Sequence, residues 1–265
     1  NVPKLLGAVP ITYTLKEEND YQIDLDEIRA KVTPRTKALV LITPSNPTGG
    51  VLAEDVLKEL AEIAVKNDIM IISDEVYERL LYDDAKHISI ASLPGMKERT
   101  ITLNGFSKAY SMTGWRLGYL IGPENVIEGA KKVHDFLTVG AAAPLQEAAV
   151  TGLHMPDSYY QWLQDKYTHK RNLFLKGLED IGIPHTDPQG AYYILLDISE
   201  FGFDSDLEFC EVLARDVGVG AVPGSSFFRE PVNHLIRLHF AKKDETLNEA
   251  LNRLQDIRKK IPVRK

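Results

Sequence analysis

One cysteine, Cys210, occurs in 265 residues, which excludes an intramolecular disulfide and a zinc site of the four-cysteine kind. It sits in Leu207-Glu208-Phe209-Cys210-Glu211-Val212-Leu213, an amphipathic helical pattern in which it serves as a buried small hydrophobe. Such cysteine usage suits a reducing cytoplasm, the expected location. No uninterrupted apolar run approaches the roughly 20 residues that a membrane-spanning helix needs. Positive charge is also in deficit: Lys+Arg 31 against Asp+Glu 38 gives a net charge of -7 and a pI near 5.6. That balance argues against broad electrostatic binding to nucleic acid or anionic membrane. Repeats, low-complexity tracts and Gly/Ser linkers are missing. So are an initiator Met and a charged-then-apolar leader pattern: the sequence opens Asn1-Val2-Pro3-Lys4 and reaches strand-like Ala8 to Tyr13 almost at once. It reads like a chain entered mid-domain.

What is present is an ordinary globular composition, 44% hydrophobic and 26% charged, long enough for one large or two modest domains. The first half alternates strands and helices. Asp24 to Ala30 is a short amphipathic helix with Asp24 or Asp26 as its cap. Ala38 to Ile42 is an apolar run with the pattern of a strand buried on both faces. Helical spacing follows over Glu54 to Lys66, then strands over Asp68 to Ser73, Thr100 to Leu103 and Leu117 to Gly122. Apolar strands separated by helices predict an α/β fold, a mainly parallel sheet sandwiched by helices. From Pro156 to Ile181 a long helix is expected, ended by Gly182 and Pro184. Beyond it the pattern predicts a strand over Ala191 to Leu196, a helix over Asp206 to Asp216 and a short strand over Val217 to Val222. A strand over Leu235 to Phe240 and a helix over Asp244 to Lys260 complete a smaller α+β unit. The expected domains are thus 1–155, large, and 156–265, small and including the long connecting helix.

Four features fall at or just after strand C-terminal ends, where open α/β sheets bind ligands. Pro44-Ser45-Asn46-Pro47-Thr48-Gly49-Gly50 fixes its backbone with prolines and glycines and leaves Asn46 as the polar side chain of a rigid turn. By itself it reads equally as a loop entering a helix. Asp74 follows a wholly apolar strand in Ser73-Asp74-Glu75-Val76-Tyr77, where a lone buried carboxylate is costly unless it meets a positive partner. A protonated pyridine nitrogen is one such partner, and Tyr77 can donate to a ring substituent; taken alone, Asp74 also fits a helix cap or a surface-loop acid. The most specific string is Asn104-Gly105-Phe106-Ser107-Lys108-Ala109-Tyr110-Ser111-Met112-Thr113-Gly114-Trp115-Arg116. A partly desolvated lysine near positive groups has a lowered pKa and becomes a nucleophile toward carbonyls. Arg116 offers a forked donor to a phosphate and Ser107 a hydroxyl. Last, Arg237 lies within an alternating strand, where it either faces a cleft and a bidentate carboxylate or simply points outward.

Together these strings resemble the class I/II aminotransferases, pyridoxal-phosphate enzymes of fold type I. The likeness runs through essentially all 265 residues in order. It is carried by Ser107-Lys108 with Arg116, Asn46-Pro47-Thr48-Gly49, Asp74-Glu75-Val76-Tyr77 and the late Arg237. Met112-Thr113-Gly114-Trp115-Arg116 is similar to the prokaryotic aspartate and aromatic subgroup. The resemblance implies an aminotransferase acting between amino acids and 2-oxo acids through pyridoxal 5'-phosphate. Lys108 is then the catalytic residue, holding the cofactor as a Schiff base and shuttling a proton between the substrate Cα and the cofactor. Asp74 pairs with the pyridine nitrogen, Tyr77 and Asn46 bond the phenolic oxygen, and Ser107 and Arg116 hold the phosphate. Arg237 clamps the substrate carboxylate, and Asn46 is a second substrate-binding residue. A homodimer, with no nucleic acid or membrane partner and no metal, is the family expectation.

Two departures stand out. Many relatives carry a serine three residues before the lysine, where this chain has Gly105. The family's upstream phosphate-binding turn and its ring-stacking aromatic precede the point at which this sequence begins, so a large domain incomplete at its N-terminal side is expected. The same Lys, Asp and Arg also serve fold-type I lyases and synthases. A non-catalytic, aminotransferase-like regulatory domain is the reading of a different class.

Overall fold

The computed structural model describes residues 2–264. Its internal contacts divide the chain into two compact units. The first comprises residues 1–43, 51–76 and 87–152, and the second residues 44–50, 77–86 and 153–265.

The first unit is built on a four-stranded sheet of β1 (Ala38–Ile42), β2 (Met70–Asp74), β3 (Thr100–Gly105) and β4 (Gly118–Ile121), in that order. β1 with β2 and β2 with β3 are parallel, and β4 runs antiparallel at the edge. Parallel neighbours need a crossover. For β1 and β2 it is the helix over Glu54–Lys66. Two shorter helices precede it, α1 (Val2–Leu5) and α2 (Leu25–Lys31), so it is α3. The cap of α2 is Asp24, whose carboxylate accepts from the Asp26 and Glu27 amides. α3 turns Leu57, Leu60, Ala61 and Ala64 into a core shared with Leu41, Ile69, Ile71, Ile90 and Met96. Each fully buried Leu or Ile there is worth about 1.5–3 kcal/mol of transfer free energy.

The apolar run of β1 predicted burial on both faces. Leu41 is indeed fully buried, but Val40 and Ile42, on the opposite face of the pleat, are exposed, so β1 is buried on one face only. Residues 8–14 form no strand, and nearby there is only an isolated bridge between Leu15 and Ile23. Pro10 removes a donor in the middle of that stretch. Two helices that hydrophobic patterning did not single out complete the unit, α4 (Glu124–Thr138) and α5 (Ala143–Leu153).

The second unit holds α6 (Asp157–Ile181), ended as expected by Gly182 at φ 74°. Its sheet has the order β5 (Tyr193–Asp197), β7 (Leu235–His239), β6 (Val222–Pro223), all antiparallel. Of the strand expected over 217–222 only Val222 is in a strand, β6 running on to Pro223. The helix expected over 206–216 is α7 (Asp206–Val212) followed by a π-helical turn over Leu213–Val217. The terminal helix breaks into α8 (Asp244–Leu254) and α9 (Ile257–Lys260). Among the described residues no helix is long and apolar enough to cross a membrane.

Candidate active site

In the first unit the parallel register sets Asp74 beside Ile42 on one side and Leu103 on the other. The C-terminal ends of three strands therefore meet at one edge of the sheet, with Asp74 as the last residue of β2. The Asp74 carboxylate accepts from the Val76 amide at 3.3 Å. Burial pushes its pKa above the usual carboxylate value, and the Val76 bond and the Lys108 charge oppose that push. Asp74 is thus a half-buried acid whose charge needs a cation, and Lys108 is near enough to act on it.

Ser107 and Lys108 follow β3 in a tight turn. The Met112 amide bonds the Phe106 carbonyl and the Ser111 amide the Lys108 carbonyl, both at 3.3 Å. Thr113 Oγ1 donates to the Ser107 carbonyl at 2.8 Å. Phe106 packs with Leu117, Ala149 and Tyr110, so the turn carrying the lysine is anchored to a small core. Arg116 sits at φ 56° at the end of a short 3-10 turn, exposed, with one Nη1 bond to the Thr113 carbonyl at 2.9 Å. The structure also explains Gly105. A Cβ there would lie 2.9 Å from both Gly118 Cα and the Leu117 carbonyl oxygen, so the close pairing of β3 and β4 excludes a serine.

Sequence reasoning passed over Glu75. Its carboxylate is 1% exposed and accepts from Ser73 Oγ at 2.8 Å and Ser89 Oγ at 2.9 Å, with His87 Nε2 at 2.8 Å. This network ties the end of β2, and hence the Asp74 backbone, to the segment 87–89. The only available signal was a second acid directly after Asp74, and its partners lie too far along the chain to be read from spacing.

The second unit brings together the other three predicted residues. The turn 44–50 closes through Ser45 N to the Gly50 carbonyl at 2.8 Å and is pinned by Gln189 and Gly190 amides on the Gly49 carbonyl. Asn46 Oδ1 accepts from Arg237 Nη1 at 2.5 Å. Arg237 faces inward, and its guanidinium lies 4.2 Å from the Tyr193 ring centre and 4.3 Å from that of Phe227. Burial lowers its pKa, opposed by the surrounding tyrosines. Tyr77 is buried, with its hydroxyl 2.8 Å from the Tyr193 hydroxyl and its ring edge-on to Tyr192. Burial first, then the bond to Tyr193, raises its pKa. The sequence placed Tyr193 only as a strand residue and did not single out Phe227.

The donor set of each unit fits a phosphorylated pyridine aldehyde. The first unit offers a carboxylate that needs a cation, an amine, a hydroxyl and a guanidinium. The second offers a phenol, an amide and an aromatic-flanked guanidinium suited to a carboxylate.

The family model described as aminotransferase class I and II matches residues 1–254. Aromatic-amino-acid aminotransferase 2 of Thermococcus litoralis is 42% identical, covering 96% of this chain and 66% of that protein. An aspartate aminotransferase of Pyrococcus abyssi is 40% identical, covering 96% and 65% respectively. Among solved structures, the aromatic aminotransferase of Pyrococcus horikoshii superposes with a TM-score of 0.89 at 38% identity, over 96% of this chain and 68% of that one. The N-succinyldiaminopimelate aminotransferase of Mycobacterium tuberculosis gives 0.88 at 38% identity, over 96% and 67%. The chain belongs to the class I and II aminotransferase family. It spans about two thirds of the length of the curated relatives it matches, 66% and 65% for the first two.

Proposed function

We propose that this chain carries most of the catalytic residues of a pyridoxal-phosphate aminotransferase, exchanging amino groups between amino acids and 2-oxo acids, with aspartate or aromatic donors first among the candidates. One observation carries the reading: parallel pairing of β2 and β3 puts Asp74 and the Lys108 turn at one edge of one sheet, with Lys108 electrostatically coupled to the acid. Pyridoxal phosphate, when bound, supplies an electron sink for the pair left on the substrate α-carbon.

The side chains do the rest. Lys108 Nζ holds the cofactor and then carries the proton to and from the α-carbon. Asp74 keeps a negative charge against the ring nitrogen. Tyr77 and Asn46 donate to the ring oxygen, and Ser107 and Arg116 hold the phosphate. Arg237, oriented by Asn46 and the flanking rings, clamps the α-carboxylate and so directs the Cα–H bond for removal. The functional division we propose is a large cofactor domain, 1–155, and a small domain, 156–265. A cytoplasmic homodimer fits the family and the uncovered apolar side chains of α4.

Mixing the cofactor-loaded protein with amino donor alone tests the reading. The long-wavelength absorbance should be lost as the cofactor leaves in its amine form, and Lys108→Ala should abolish the change. Release of pyruvate and ammonia would assign a lyase instead.

A further inference from the structure

Tyr193 stands at the crossing of two groups given separate tasks above. Antiparallel pairing sets Tyr193 of β5 opposite His239 of β7 and Leu195 opposite Arg237. Tyr193 and Arg237 are therefore diagonal neighbours on one face, close enough for a ring and a long side chain to meet. Arg237 accordingly lies over the Tyr193 ring at 4.2 Å. The Tyr193 hydroxyl reaches the other way, to the Tyr77 hydroxyl at 2.8 Å. Both phenols are buried, Tyr77 at 3% and Tyr193 at 8% exposure. The groups facing this pair are Tyr192, edge-on to Tyr77 and tilted against Tyr193, and Arg237. Behind Tyr192 lie Tyr167 and His239.

A phenol has one proton to give. If Tyr77 gives its proton to Tyr193, it has none for a ligand. If it gives its proton to an acceptor, its oxygen is left to receive one from Tyr193. We infer that Tyr193 is a positioning residue, which donates to Tyr77 and so aims the Tyr77 O–H at the cofactor ring oxygen while its own ring braces the Arg237 guanidinium. The inference rests on the roles proposed above for Tyr77 and Arg237. Burial supports it. Tyr192 also hydrogen-bonds Tyr77, and in a water-poor setting successive hydrogen bonds strengthen one another. The cation over the Tyr193 ring makes that phenol a better donor.

The test is a double-mutant cycle read by the pH midpoint of the bound cofactor's visible absorbance. Wild type, Tyr193→Phe, Tyr77→Phe and the double variant are titrated at saturating pyridoxal phosphate. Tyr77→Phe removes the donor to the ring oxygen and should raise the midpoint. Tyr193→Phe keeps the ring over Arg237 and should raise it less, by about half a pH unit, as befits a weakened rather than lost hydrogen bond. In the Tyr77→Phe background the second substitution should add nothing, since Tyr193 acts only through Tyr77. An unmoved midpoint in Tyr193→Phe, or an equal shift in both backgrounds, overturns the inference while leaving the aminotransferase reading intact. A protein-bound, pH-dependent visible band that survives Lys108→Ala overturns both.

Discussion

At the scale of single residues, the informative ones are polar groups held where water would suit them better. Asp74 is the clearest. Its folded pKa is raised by burial, so the native state binds its proton more tightly than the unfolded chain does. The sign follows. Below the ordinary aspartate value of 3.8 the acid is neutral in both states and costs nothing. As pH rises through that value and past the raised one, a penalty develops and then stays constant. Asp74→Asn keeps an oxygen for the Val76 amide and removes the charge. It should stabilise the cofactor-free protein at pH 7, with the gain vanishing as pH falls below the ordinary aspartate value of 3.8. Urea midpoints of the two proteins across that range check this, and a gain that persists in acid would contradict it. The same variant should lose most cofactor-dependent activity, because a neutral amide cannot hold a proton on a pyridine nitrogen.

At the scale of elements, the turn 44–50 shows how a short string specifies a conformation. Gly49 has φ +72°, and a Cβ there would lie 2.3 Å from Pro188 Cβ, 3.0 Å from Pro188 Cα and 3.2 Å from the Gly190 carbonyl oxygen. Neither the backbone nor the proline ring can yield cheaply. Gly49→Ala should therefore cost about 2–4 kcal/mol, the sum of left-handed strain and overpacking. It should also weaken amino-donor binding, since the turn carries Asn46 to Arg237. A denaturation midpoint and a KM for the donor would register both effects. A melting loss with an unchanged KM would show that the turn is scaffold only.

The same turn marks what could be read from sequence. Asn46 was legible as the polar residue of a rigid loop because Pro and Gly constrain the backbone locally. The strands of the first sheet were legible from apolar runs, and Gly182 from its position after a long periodic helix. Tyr193, Phe227 and the Glu75 partners were not, because their roles come from neighbours far along the chain, 116 positions for Tyr77 and Tyr193. One-sided burial of β1 was missed for a related reason: an apolar run reports what a strand can bury, and what packs on each face decides what it does bury.

At the scale of the molecule, the distribution of apolar surface is uneven. α4 buries none of its residues, and Val133, Phe136 and Leu137 are 59%, 91% and 76% exposed. Positions 133, 136 and 137 are spaced as i, i+3 and i+4, so they share one helical face. β4, an edge strand, adds exposed Tyr119, Leu120 and Ile121 in the same unit. Single exposed apolar side chains are ordinary, but a helix with a continuous uncovered face is a site for another surface. A twofold pairing of copies through such a face is self-complementary, so one substitution acts twice in the dimer. In the proposed dimer, Phe136→Asp places two carboxylates in that contact, where giving up water is costly. It should raise the dimer dissociation constant at least tenfold, while the unfolding midpoint of the separated protomer stays nearly unchanged because Phe136 contributes nothing to its own core. Light scattering over a dilution series, read beside urea denaturation, distinguishes the outcomes. A wild-type chain that is monomeric throughout, or a Phe136→Asp protein that associates as tightly, would remove α4 from the interface and leave its apolar face to some other partner.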